Sequence, residues 1–142
     1  MKRIELIACL LLFACSARAS DLSTPDDAKA LADAAMRLIV SGKIDQAFDL
    51  LRPQWPVPSN EIDMVVLKTI QQRNLAEPRF GKTLGYTLTA EEKIKDFGIR
   101  YTFAEKRESH VLRWQFTFYK PEAVWKVNSV IWDDNIGALF SR

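Results

Sequence analysis

Glu105, His110 and Asp133 are the residues whose types could move a proton. A histidine between two carboxylates is a general acid or base poised for work near neutral pH. They stand apart in the sequence, so only strand pairing can assemble them. A turn over Lys120-Pro121-Glu122-Ala123, with proline at its second position, sets the register of the last hairpin. It predicts Tyr119 opposite Val124, Phe118 opposite Trp125, Phe116 opposite Val127, Trp114 opposite Ser129, Leu112 opposite Ile131 and His110 opposite Asp133. The hairpin before it, turning at Arg107-Glu108, predicts Phe103 beside Leu112 and Glu105 beside His110. The plainer reading places the three at the sheet's end, where charges reach water, and a one-residue slip disperses them.

Other chemistries find less support. A single histidine cannot build a multi-histidine metal site. Asp26-Asp27 and Asp133-Asp134 lack calcium-loop spacing, and Asp26-Asp27 fits a helix start. No serine stands in a G-x-S-x-G context, and no glycine loop is built to cradle phosphate. Neither a metal nor a cofactor is expected.

The ends of the chain set its compartment. Met1-Lys2-Arg3, an apolar run from Ile4 to Ala14 broken only by Glu5, and Ala17-Arg18-Ala19 have the form of a secretory signal, residues 1–19. The apolar run is too short to span a bilayer, which takes roughly 20 residues. Export to the periplasm or medium is expected, with residues 20–142 as one domain and no transmembrane segment. The alternative is a lipoprotein signal that anchors the chain at Cys15. Both cysteines, Cys9 and Cys15, fall in this segment, so a chain cut after Ala19 holds no disulfide or thiolate site. Removing Lys2, Arg3 and Arg18 against Glu5 takes 20 basic and 18 acidic residues to 17 of each. With the positive balance gone, general nucleic-acid binding loses its electrostatic driver.

The elements follow from local signals. Ser23 or Thr24 caps a first helix with Pro25 in its first turn and Gly42 at its end. Leu31, Ala34, Ala35, Leu38 and Ile39 form its apolar stripe. A second helix is expected over about 43–51, stopped by the prolines of RPQWPVP. A third begins with Ser59 as its cap, turns Ile62, Val65, Val66, Thr69 and Ile70 inward, and fades by Leu75, ahead of Pro78. Strands are expected at about 84–91, 99–106, 110–119 and 124–133, with AEEKIKD as a solvated strand end or turn. The fold class is α+β: three N-terminal helices packed on one face of a curved four-stranded antiparallel sheet.

Alternation divides the sheet residues. Ile99, Tyr101, Phe103, Leu112, Trp114, Phe116, Phe118, Trp125, Val127 and Ile131 face the helices, and Arg100, Thr102, Lys106, Arg113, Gln115, Thr117, Lys126 and Asn128 make a mostly wet face. Tyr101, Glu105, His110, Trp114, Trp125 and Asp133 are the candidate ligand-binding residues. Val111, Tyr119, Val124, Val130 and Trp132 interrupt the wet face, so Arg113, Tyr119, Val130 and Trp132 are candidates for a homodimer or partner interface. The alternative is that the tail NIGALFSR folds back and covers Trp132 with Leu139 and Phe140.

The opening RLIVSGKIDQAFDLLRP, the turn RFGKTLG and the closing LRWQFTFYKPEAVWKVNSVIWDD resemble the nuclear transport factor 2-like superfamily, including its small exported members. The resemblance implies a cone-shaped fold with a pocket between sheet and helices. Some members are isomerases, dehydratases or cyclases, and many bind ligands or partners without catalysis. No catalytic motif of the enzymes can be matched residue by residue. Three readings follow: a non-catalytic exported protein binding a small hydrophobic ligand or an envelope protein, a homodimeric accessory protein, or an acid–base enzyme using His110.

Overall fold

The computed structural model describes residues 20–140, so the expected signal segment, with Cys9 and Cys15, lies outside the described residues. Helix α1, Pro25–Val40, starts on a capping box. The Thr24 hydroxyl accepts from the Asp27 amide at 3.1 Å, and the Asp27 carboxylate accepts from the Thr24 amide at 2.8 Å. Its buried residues are Ala28, Ala32, Ala35, Met36 and Ile39, while Leu31, Ala34 and Leu38 are only half-buried. Small alanines thus bring α1 close to the sheet. Helix α2, Ile44–Leu51, buries Ile44, Ala47, Phe48 and Leu51.

Helix α3, Ser59–Phe80, departs from expectation at both ends. Pro58 takes the cap position and Ser59 is the first helical residue. The helix also continues through Pro78 instead of fading at Leu75. A proline forfeits one hydrogen bond, yet the final turn carries Phe80 into the core. Beyond it, Arg107 donates to the Gly81 carbonyl through Nε at 2.9 Å and Nη2 at 2.6 Å, which satisfies a helix-end acceptor.

Four antiparallel strands follow in spatial order: β1 Thr83–Ile94, β2 Gly98–Arg107, β3 Val111–Tyr119 and β4 Lys126–Asp133. AEEKIKD belongs largely to β1, with Lys95 in the turn at φ 49°. Phe103 pairs with Trp114 and Glu105 with Leu112, two residues along from the expected partners. A two-residue shift keeps every side chain on its face. The β3–β4 register differs more deeply. Phe118 pairs with Val127, but Thr117 pairs with Ser129, so Asn128 is an extra residue in a bulge. Beyond it the faces exchange: Val130 and Trp132 point inward opposite Phe116 and Trp114, and Ile131 turns outward. The expected inward Ile131 and outward Val130 and Trp132 are therefore reversed. Trp125 lies outside β4, its amide donating to the Leu22 carbonyl at 2.8 Å.

β1 carries a matching irregularity. Leu88 pairs with inward Phe103, but Ala90 pairs with outward Thr102, so the strand changes face between them. The core lies between helices and sheet, where Tyr101, Phe103, Trp114, Phe116 and Phe118 are fully buried. Each such ring contributes roughly 1.5–3 kcal/mol through its removal from water. The outer face is less wet than expected, since Thr102, Ala104 and Gln115 are buried there.

Candidate ligand cleft and the buried charge cluster

The expected row of Glu105, His110 and Asp133 is dispersed. Glu105 lies within the core, fully buried. His110 instead stacks on Phe80, ring centroids 4.5 Å apart, with Nε2 2.9 Å from the Asp134 carbonyl oxygen. Asp133 is on the outer face, where its carboxylate accepts from Arg113 Nε at 3.1 Å and also from Nη2. The shifted registers account for all three positions.

Glu105 gathers the residues that the sequence reading missed. Arg73 donates to it twice, at 2.7 and 3.1 Å, Thr83 at 2.6 Å, Arg107 at 3.1 Å and the Trp114 indole at 2.8 Å. Burial pushes the carboxyl up, but the Arg73 pairing and the Thr83 and Trp114 bonds outweigh it and hold the group below its ordinary value. An ionised carboxylate saturated with donors cannot serve as a base near neutral pH. It ties α3 to β1, β2 and β3. Arg73 was readable as the step four residues after Thr69 in the stripe Ile62, Thr69, Arg73, Ala76, Phe80, inside the helix even if it fades at Leu75.

The other candidates are mostly structural too. Tyr101 is buried and donates its hydroxyl to the Pro25 carbonyl at 2.7 Å. Burial, then the charges of Glu91 and Asp26, push its phenol up. Trp114 is fully buried. Trp125 is buried with its indole N–H unpaired, and the Lys120 ammonium lies 5.9 Å from its ring centre. Among the interface candidates, Val130 is buried, Trp132 half-buried, Arg113 paired with Asp133, and Tyr119 exposed.

What the inner side does leave open is a cleft between α1 and β1 of about 410 Å³. Ala30, Leu88 and Phe103 give it apolar walls, and Asp26, Lys29 and Asp33 stand at its rim. Two polar bridges cross from helix to strand. Lys29 reaches Glu91 at 3.1 Å, and the Tyr86 hydroxyl donates to Asp33 at 2.8 Å. Arg37 adds an ion pair with Asp33 and donates to the Tyr86 hydroxyl at 3.4 Å. The change of face in β1 creates this layout, because it lets Leu88 and Glu91 both point toward α1. An apolar gap between two polar bridges can hold a compact apolar molecule. Among the described residues, no helix is long and apolar enough to cross a membrane. Compared with known proteins, the chain matches no family model, no curated protein and no solved structure.

Proposed function

We propose that this chain is a non-catalytic, exported binding protein of the nuclear transport factor 2-like kind, holding a small hydrophobic molecule between α1 and β1. The observation that carries the reading is the apolar gap walled by Ala30, Leu88 and Phe103. Its volume of about 410 Å³ falls in the range that suits small ligands. The signal-like segment supports export. The order of three helices before a four-stranded antiparallel sheet accords with the family resemblance. Against catalysis stands the dispersal of Glu105, His110 and Asp133, the only proton-moving row that the sequence offered.

The test is fluorescence titration with the neutral apolar dye N-phenyl-1-naphthylamine. Saturable binding is expected, and Ala30→Phe, which fills the gap from the exposed side of α1, abolishes it while the circular dichroism spectrum is unchanged. Binding that survives Ala30→Phe, or no binding to the wild type, overturns the reading.

A homodimer is the second reading, favoured by Ile94, Phe97, Tyr119 and Ile131, all exposed. Tyr119 pairs with Gly98, which pairs with Ile94, so three of the strands meet at this end of the outer face. Sedimentation of the wild type against Tyr119→Ser/Ile131→Ser decides it: a dimer that the substitutions dissociate supports it, and a wild-type monomer excludes it.

A further inference from the structure

The outer face of the sheet holds a second concavity, of about 530 Å³, whose floor has unusual chemistry for an exterior surface. Thr102 and Gln115 form that floor, each more than nine-tenths buried. The Gln115 amide nitrogen donates to the Thr102 hydroxyl at 3.2 Å, and the Thr89 hydroxyl donates to the Thr102 carbonyl at 3.0 Å. Only one end of the Gln115 amide is engaged among the described residues. Turning the amide over exchanges donor for acceptor but leaves one end open either way. That open end is not shut away from water, since the Trp125 indole nitrogen is the unpaired buried side-chain atom among the described residues, so it is available to a group in the groove.

The walls narrow the choice of that group. Arg100 grips Glu92 with two bonds, at 2.7 and 2.9 Å, and Arg113 grips Asp133 in the same two-pronged manner. Each pair neutralises itself and leaves one guanidinium nitrogen, Nη1, outside the pairing. An anionic ligand would have to compete with Glu92 and Asp133, and a cationic one with the two arginines. A neutral molecule meets neither conflict. It does meet donors at the arginines, a hydroxyl at Thr102 that both donates and accepts, and the open end of Gln115. Ala90 and the tail residues Ala138 and Leu139 supply apolar contact, the tail being held in a short turn where the Asn135 side chain accepts from the Ala138 amide at 3.3 Å.

We propose that this groove is a binding site for a neutral saccharide, distinct from the α1–β1 cleft. Sugar hydroxyls donate and accept at neighbouring positions, which matches what Thr102 and Gln115 offer, and their C–H faces suit small aliphatic walls. A volume of about 530 Å³ leaves room for more than a single water-sized group and lies within the ordinary range for small-molecule sites.

The experiment titrates ¹⁵N-labelled protein with cellobiose, maltose and N,N′-diacetylchitobiose, beside glucuronate and glucosamine as charged comparators. At least one neutral disaccharide is expected to give saturable shifts at the amides of Thr89, Ala90, Thr102, Gln115 and Ala138. Gln115→Met is expected to weaken that binding roughly five- to tenfold, the scale of one lost hydrogen bond. Thr102→Val is the second variant should the first unfold, and Ala30→Phe leaves saccharide binding unchanged. The proposal is overturned if no neutral disaccharide binds, if glucuronate or glucosamine binds more tightly, or if folded Gln115→Met and Thr102→Val bind as the wild type does. Because Ala30→Phe acts only on the other cleft, failure of one site is distinguishable from failure of the other.

Discussion

Trp132 stacks on Trp114 across the β3–β4 ladder, ring centroids 5.4 Å apart and planes within 17°. The pairing exists only because Asn128 is an extra residue, which turns Trp132 inward and Ile131 outward. Trp132→Ala removes a stacked, half-buried ring and is expected to cost about 2–3 kcal/mol in urea unfolding. Ile131→Ala, at a position 52% exposed, is expected to stay within about 0.5 kcal/mol. The opposite order would mean that the strand runs without the bulge.

Gly81 closes α3 at φ 77°, and a Cβ there would collide with the Glu108 side chain, which accepts from the Lys82 amide at 2.8 Å. Gly42 has the same φ, but a Cβ added there would meet nothing within 4 Å. Both alanine substitutions are strained by the backbone, and only Gly81→Ala adds a collision. Thermal unfolding is expected to show a loss of about 2–3 kcal/mol for Gly81→Ala and about 1 kcal/mol for Gly42→Ala. Equal losses would rule out the collision.

Local chemistry made much of the fold legible. The Thr24–Asp27 start of α1, the Gly42 stop and the four strands all follow from neighbouring residues. The bulge was harder to read, although a trace of it is there. Trp125, Val127, Val130 and Trp132 step by two, three and two, and the step of three marks the extra residue. Ile131 hid that trace by offering an unbroken alternation with Val127 and Ser129. The charge cluster stayed hidden because the inward stripe of α3 reads as apolar only as far as Ile70, and a charged Arg73 one step on carries no mark of burial. The clefts depend on how β1 changes face, and Thr89 at that point is an ordinary strand residue with no sequence mark.

His110 fastens the β2–β3 turn to the end of α3 through its Phe80 stack and to the residue after β4 through its contact with the Asp134 carbonyl. His110→Ala is expected to cost about 1–2 kcal/mol, the stack plus one hydrogen bond. His110→Phe keeps the stack and loses only the polar contact, so its unfolding free energy should fall between the two. A histidine that served only proton transfer would show no such ordering.

Glu105 contributes to the acid sensitivity of the fold. Its carboxyl is held below the ordinary value of 4.5 in the folded chain by Arg73, Thr83 and Trp114, despite burial. A depressed folded pKa gives stability that is complete above the unfolded pKa and is lost as pH falls through the folded one. Glu105→Gln keeps the shape but leaves the Arg73 and Arg107 guanidinium groups buried without their counter-charge, an expected loss of about 3–5 kcal/mol at neutral pH. Asp27, Glu92 and Asp133 are also held low, so every variant weakens in acid and the slope of one protein alone decides nothing. The difference between wild type and Glu105→Gln isolates this carboxyl, because the other three contribute equally to both. That difference should be constant above pH 4.5 and shrink steadily below it. A difference that is flat into acid would mean that Glu105 titrates alike in both states, and the four-donor cluster would then carry none of the acid sensitivity.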